Sequence, residues 1–422
     1  MSSKTAVTVA TPRIETVLVG GKAWTSYAFI CGLLIYAVYS TPFPAQPGLI
    51  EGIIATLLIV FVSVPTGIVV MSGGFTIYQK YNLFPVALHI GFFTMLWLSL
   101  FNGAIVYSWN VVDIIRDLIP CVYIFAPFLL LPAMKRSKLD WFKILPWILS
   151  INGVVFAIRF YYEAGISPLD VGKMYYSDNL LYLPYDPSVS FASIFLPIMA
   201  VHTWKGISLL RWSGSLLMLV SGLVSLGSLM AVAQRAPLGL AVLSYFIYFL
   251  IGSRKSFKKI ILLLITLISV FIVMQDQLAS TFDLLMTKQE DYGMNGKNNE
   301  MIAVLHETSR SIYSLFFGIG WGGLFYDPTY NAEVSFTHSA ITFFLLKGGI
   351  IGLLVFLYYL LWISRRILLN MTISKLPYSL SVIVPLTIGL IFQPTFKTLS
   401  YGMVLTFLCL LFPNSHTRRQ ES

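Results

Sequence analysis

Long apolar runs alternate with short polar connectors along almost the whole chain. A bilayer core of about 30 Å takes about 20 apolar residues per helix. By that measure the runs at 24–42, 50–71, 83–106, 117–134, 143–163, 189–204, 212–233, 236–252, 260–276, 338–362, 378–393 and 398–412 predict twelve transmembrane helices. The connector 277–337 breaks the rhythm: it is long and has its own apolar stretch, Ser311–Ile319. A structureless loop of that length is unusual, so it is expected to be partly helical and folded over the membrane face. A second outer connector, 164–188, carries Tyr175, Tyr176, Tyr182 and Tyr185 with Asp170, Asp178 and Asp186. No repeat, low-complexity tract or soluble domain interrupts the pattern, so 1–422 reads as a single integral membrane domain.

Composition agrees. The chain is 57% hydrophobic and 11% charged, with mean hydropathy +0.79, where a soluble domain carries about 25% charged residues. The fold class expected is an all-α polytopic membrane protein. A net charge of +10 would ordinarily raise nucleic acid as a partner, but the basic residues sit in short connectors, as in Lys135–Lys143 and Arg254–Lys259. That is a topology signal and excludes nucleic acid. With the N-terminus in the cytoplasm, 19 of the 28 Lys and Arg fall in inner segments. Both termini are then cytoplasmic and 277–337 faces outward. Residues 1–22 lack an apolar signal core, so the first run is expected to stay as an anchor. Cys31, Cys121 and Cys409 lie far apart in or beside apolar runs, with no metal-ligand or redox spacing.

Ionisable residues in or near spans are costly and therefore functional candidates. On this topology Arg116, Arg159, Arg235 and His338 stand at outer helix ends, and His306 and Arg310 in the long loop. Arginine offers a fork of donors that suits phosphate oxygens, and histidine exchanges a proton near neutral pH. Together they suit holding a lipid diphosphate while activating a hydroxyl that displaces it. Sugar transfer from a polyprenyl diphosphate needs these parts. The plainer alternatives are arginines that snorkel to the headgroups and a histidine that is only an interfacial hydrogen-bonding residue. Gly318–Gly323 reads either as a phosphate cradle or, lacking a strand–helix context, as a flexible turn.

Three stretches carry a family likeness. They are Ala233-Gln234-Arg235-Ala236-Pro237-Leu238-Gly239-Leu240, Phe317-Gly318-Ile319-Gly320, and Thr337-His338-Ser339 followed by Lys347-Gly348-Gly349-Ile350-Ile351-Gly352-Leu353. In order and spacing this set, covering 210–365, resembles the O-antigen ligase and polymerase superfamily of Wzy-type polymerases and WaaL-type ligases. The resemblance implies a GT-C-like glycosyltransferase of the bacterial inner membrane with one large periplasmic loop, working without metal or other cofactor. The donor would be a glycan on undecaprenyl diphosphate. The acceptor would be a lipid-linked sugar or lipid A core, and a chain-length regulator is a possible partner. Arg235 would bind the diphosphate and His338 would activate the acceptor. Members often carry an arginine where this chain has Glu300, with Lys297 the nearest cation. Arg310 would be the substitute if the loop folds back, Arg159 would be a further diphosphate contact, and Lys347 would be an extra cation near the site. The departures tilt the reading from ligase toward polymerase. A flippase or secondary transporter is the rival of a different class, and it would be expected to show half-to-half similarity and midplane charges.

Overall fold

The computed structural model describes residues 23–42, 48–74, 84–171, 182–203, 209–252, 275, 279–283, 285–287, 297–328 and 331–412. The protein is an all-α membrane protein. Its main helices are α1 (Ala23–Tyr39), α2 (Leu49–Val62), α3 (Val64–Met71), α4 (Val86–Phe101), α5 (Val111–Ile124), α6 (Ala126–Arg136), α7 (Trp141–Ala164), α8 (Pro187–Thr203), α9 (Leu209–Ala231) and α10 (Arg235–Ile247). After them come α11 (Lys297–Thr308), α12 (Ile312–Phe317), a small hairpin of β1 (Phe325–Asp327) and β2 (Ala332–Val334), then α13 (Ala340–Asn370), α14 (Leu376–Thr387) and α15 (Leu399–Leu411). Large side chains such as Ile105, Leu217, Leu361 and Leu368 stay exposed on the outside, as lipid-facing surface requires. The interior is strongly aromatic: Phe84 stacks on Phe128 at 4.1 Å, and Tyr359 packs on Phe125 at 5.0 Å.

Among the described residues five helices are long and apolar enough to cross a membrane, or seven if each of two bent pairs is one span. The expected run 50–71 is α2 and α3 bent by 85°, and 117–134 lies within α5 and α6 bent by 53°. Both breaks precede a proline at the start of the second helix, Pro65 and Pro127, where the ring fits a helix start but cannot continue the helix before it. At the first break Ser63 is left-handed (φ 69°). The guanidinium of Arg136 donates to the Val62 carbonyl at 3.1 Å and to Thr66 Oγ1 at 2.8 Å. The expected span 260–276 lies outside the described residues.

The expected span 338–362 is also interrupted. Within α13, Gly349 has φ 62° and ψ −158°, so two helices meet at a kink. The glycine-rich run 318–323 wedges into that kink. The N–H of Ile319 donates to the Leu346 carbonyl at 2.9 Å, and that of Gly320 to the Lys347 carbonyl at 3.1 Å. Gly318, Gly320 and Gly322 all have positive φ. A Cβ on Gly320 would lie 2.3 Å from the Gly103 nitrogen, and one on Gly349 2.5 Å from the Gly318 nitrogen. Trp321 is fully buried and donates from Nε1 to Leu96. Beneath it Lys347 Nζ pairs with Asp117 Oδ2 at 2.6 Å and donates to the Gly323 carbonyl, and the same Oδ2 accepts from Gly322 N–H at 2.8 Å. From this wedge the chain passes through the hairpin, with Phe325 opposite Val334, and arrives at His338.

Removing one member of a buried ion pair strands the other. Asp117→Ala is therefore expected to lower stability by roughly 3–5 kcal/mol, read as an earlier thermal unfolding transition in detergent. Asp117→Leu combined with Lys347→Met is expected to regain only part of that loss, because the Gly322 N–H and the Gly323 carbonyl lose their side-chain partners. A double variant as unstable as the single one would show that the wedge depends on charge as such.

Candidate functional site

Three helices begin at one end of the bundle, and each has a candidate side chain at or just before its start. His338 stands before Ser339, whose hydroxyl accepts from Thr342 N–H at 3.1 Å and caps α13. Lys397 ends a 3-10 turn, Pro394–Lys397, just before Thr398, which caps α15 through Tyr401 N–H at 3.3 Å. Arg235 is the first residue of α10, after a reversal in which Ala233 is left-handed (φ 48°). Ser and Thr accept from the exposed N–H groups of a helix start, so the caps set where His338 and Lys397 stand.

These three residues line one cavity of about 2440 Å³. Its polar end holds Glu51 from α2, Asp113 and Arg116 from α5, Gln234 and Arg235, Phe336 and His338, and Gln393 and Lys397. Further along the same walls the lining turns apolar: Ile54, Leu58 and Val62 on α2, Ile68 and Met71 on α3, Ile119 and Val122 on α5, and Leu129 and Leu130 on α6. The space has a charged head and a long greasy trough.

His338 is held by Glu300 of α11. The carboxylate contacts the imidazole at Nδ1, accepts from the His338 backbone N–H at 3.0 and 3.2 Å, and lies 3.4 Å from Thr342 Oγ1. Glu300 is buried, and the His338 side chain is 19% exposed. A carboxylate at Nδ1 holds the ring proton there and makes Nε2 the basic nitrogen. Phe336 packs edge-on against the imidazole, with centroids 5.9 Å apart. On Phe336 lies the Lys397 ammonium, 5.0 Å from that ring, 5.7 Å from Phe396 and 5.9 Å from Phe343. Burial is the main cause pulling the Lys397 ammonium down to about 7. Asp117 and Glu300 favour the charged form, and Lys347 and Arg116 oppose it.

The structure brings Arg235 and His338 to the cavity and does not bring Arg159, Arg310 or Lys347 there. Arg159 donates to the Ala37 and Ser40 carbonyls at 2.8 Å each and pairs with Glu163, tying α7 to the end of α1. Arg310 is exposed and pairs with Glu307 three residues back. Lys347 is sealed against Asp117. Arg116, lining the cavity, pairs with Asp113 at 2.7 Å. The glycine-rich run is neither a phosphate cradle nor a loose turn. Its six N–H groups donate in order to Ser314, Leu346, Lys347 and Ser99 carbonyls, to Asp117 and to the Gly320 carbonyl. Of the aromatic loop 164–188, residues 172–181 lie outside the described residues, while Tyr182 and Tyr185 line the cavity.

Glu300, behind His338, and Lys397 were not among the residues singled out from the sequence. Glu300 registers there only as the acid standing where the family arginine was sought. Lys397 lies in the short connector between two closely spaced runs, and an ionisable residue in such a place is itself a signal. No protein-family model matches the chain, and no curated protein shows significant similarity to it.

Proposed function

We propose that the chain is a membrane glycosyltransferase, a polysaccharide polymerase that moves a glycan from undecaprenyl diphosphate onto the next lipid-linked repeat unit at the periplasmic face of a bacterial inner membrane. The observation that carries the reading is the single cavity in which His338, backed by Glu300, and Arg235 stand at the head of a long apolar trough. A polyprenyl lipid has that shape and polarity. In this reading the acceptor hydroxyl gives its proton to His338 Nε2. The acceptor oxygen bonds to the anomeric carbon as the bond from that carbon to the diphosphate oxygen breaks. The diphosphate leaves with the electron pair, and Arg235 neutralises the charge that develops on it. A single displacement of this kind inverts the anomeric centre.

The direct test is purified protein in detergent incubated with an undecaprenyl-diphosphate-linked repeat unit. A ladder of longer lipid-linked glycans is the expected product. Transfer only after lipid A core is added would make the protein a ligase. Silence in both assays from folded protein would move the reading to a flippase or transporter.

His338→Ala and Arg235→Ala are each expected to abolish the ladder while the protein elutes and melts as the wild type does. Full activity in either variant would remove that residue's role. Arg235→Lys is expected to restore little, because an ammonium cannot reproduce the guanidinium's paired donors. Glu300→Gln keeps the shape but withdraws the charge behind the imidazole. It is expected to lower kcat by on the order of 100-fold with donor KM little changed, measured as initial rates of ladder formation.

A further inference from the structure

Charge pairing at the polar end of the cavity leaves Lys397 without a carboxylate among the described residues. Asp113 is committed to Arg116, Asp117 to Lys347, and Glu300 to His338. Glu51 accepts from the Gly48 N–H at 2.8 Å and from Ser40 Oγ at 2.9 Å. Lys397 lines the cavity, and among the described residues its Nζ makes no ion pair. Its partners are the faces of Phe336, Phe343 and Phe396. Aromatic faces hold a cation in place without neutralising it, so an ammonium set among them retains its capacity for an anion. Phe336 is also the ring against His338, which puts this cation next to the proposed base.

We propose that Lys397 is a further cation of the cavity, contacting the phosphate oxygens of a polyprenyl diphosphate together with Arg235. The inference rests on the glycosyl-transfer reading of the cavity and adds to it a residue and a proton. The ammonium is buried enough to sit near its own midpoint at about pH 7. The charged groups that act on it are Arg116 and Asp117 on α5, Lys347 on α13 and Glu300 on α11, and Glu51, Asp113, Arg235 and His338 line the same cavity. The helices α14 and α15, which flank its turn, bring no further Asp, Glu, Lys or Arg within their spans. A phosphate anion favours the charged amine, so the lipid would bind with uptake of a proton from the aqueous phase. By linkage, the Lys397 contribution to binding is complete well below pH 7 and is lost as pH rises through that value. When the diphosphate leaves, the Lys397 amine would return the same proton to the aqueous phase.

The test is equilibrium binding of two lipids, undecaprenyl diphosphate and uncharged undecaprenol, to the full-length protein in nanodiscs. Wild type is expected to prefer the diphosphate. Lys397→Met is expected to weaken diphosphate binding roughly tenfold to hundredfold, the range for a lost charge-assisted contact, while binding undecaprenol as wild type does. Lys397→Arg, permanently charged, is expected to bind the diphosphate at every pH. The ratio of the wild-type Kd to the Lys397→Arg Kd is expected to rise about tenfold between pH 6.0 and pH 8.5; titration of the lipid phosphates is common to both and cancels. If Lys397→Met binds the diphosphate as well as wild type, Lys397 has no such role and the glycosyl-transfer reading stands. A parallel loss of undecaprenol binding would make Lys397 a packing residue and overturn the proposal. A flat ratio across pH would overturn the proton uptake. Wild type that binds the diphosphate no better than undecaprenol would overturn the cavity reading and this proposal together.

Discussion

The geometry of the polar end depends on the contact between a glycine-rich run and a broken helix. The kink at Gly349 opens the backbone of α13, and N–H groups of Ile319 and Gly320 donate to the carbonyls of Leu346 and Lys347 just ahead of it. In an apolar medium a freed carbonyl must find a donor inside the protein. The kink and the wedge are therefore each the condition of the other. Side chains are excluded from the contact: a Cβ at Gly318 would come within 2.5 Å of the Lys347 carbonyl group, and one at Gly103 within 2.1 Å of the Trp321 oxygen. Because α13 starts at Ser339, anchoring its first turns to the wedge anchors His338. Because α11 packs on β1, on the strand leaving the wedge, the same contact sets where Glu300 meets the imidazole.

Burial then decides which charges are available for chemistry. Lys347 and Asp117 are both buried and face each other, so each is the other's closest charge. Such a pair gains little net stability, since desolvation offsets most of its attraction. Here its use is positional, because the carboxylate and the ammonium also hold Gly322 N–H and the Gly323 carbonyl. The same logic separates the arginines. Arg159 spends its guanidinium on two backbone carbonyls at the end of α1, and Arg310 on a neighbouring glutamate in solvent. A basic residue near the end of a span is thus not by itself a phosphate ligand; what its donors already hold is the deciding fact.

That fact is what the amino-acid sequence conceals. The all-helical membrane class was legible because apolar length is a one-dimensional property, and His338 and Arg235 could be picked out because each is an ionisable residue at the end of a span. The bends at Ser63 and Phe125 and the kink at Gly349 were not read, since a hydropathy window measures length and is blind to direction. Pro65, Pro127 and the Gly348-Gly349 pair were the available marks. Glu300 joins His338 across 38 residues and Lys397 joins Phe336 across the full length of α13 and α14, contacts that only the packing of the helices brings about. The short hairpin, with three residues to a strand, falls below the length at which alternation can be recognised.

The breaks also account for the cavity itself. A straight α2 would lie along its neighbours and fill the space; bent by 85° it forms a wall that turns, with Ile54 and Leu58 on one side of the corner and Ile68 and Met71 on the other. α5 and α6 form the facing wall with their own bend at Phe125. Non-helical backbone at membrane depth is tolerated only where it is covered by protein or borders a cavity, and the Val62 carbonyl at the corner is met by Arg136. That arginine stands at the end of α6, in the wall opposite the bend, so the two walls are joined by a hydrogen bond as well as by apolar contact. Polar helix starts at one end and bent apolar walls beyond them make an amphipathic space. An elongated ligand would be oriented there by its own polarity, its charged end beside Arg235, His338 and Lys397 and its hydrocarbon along the trough.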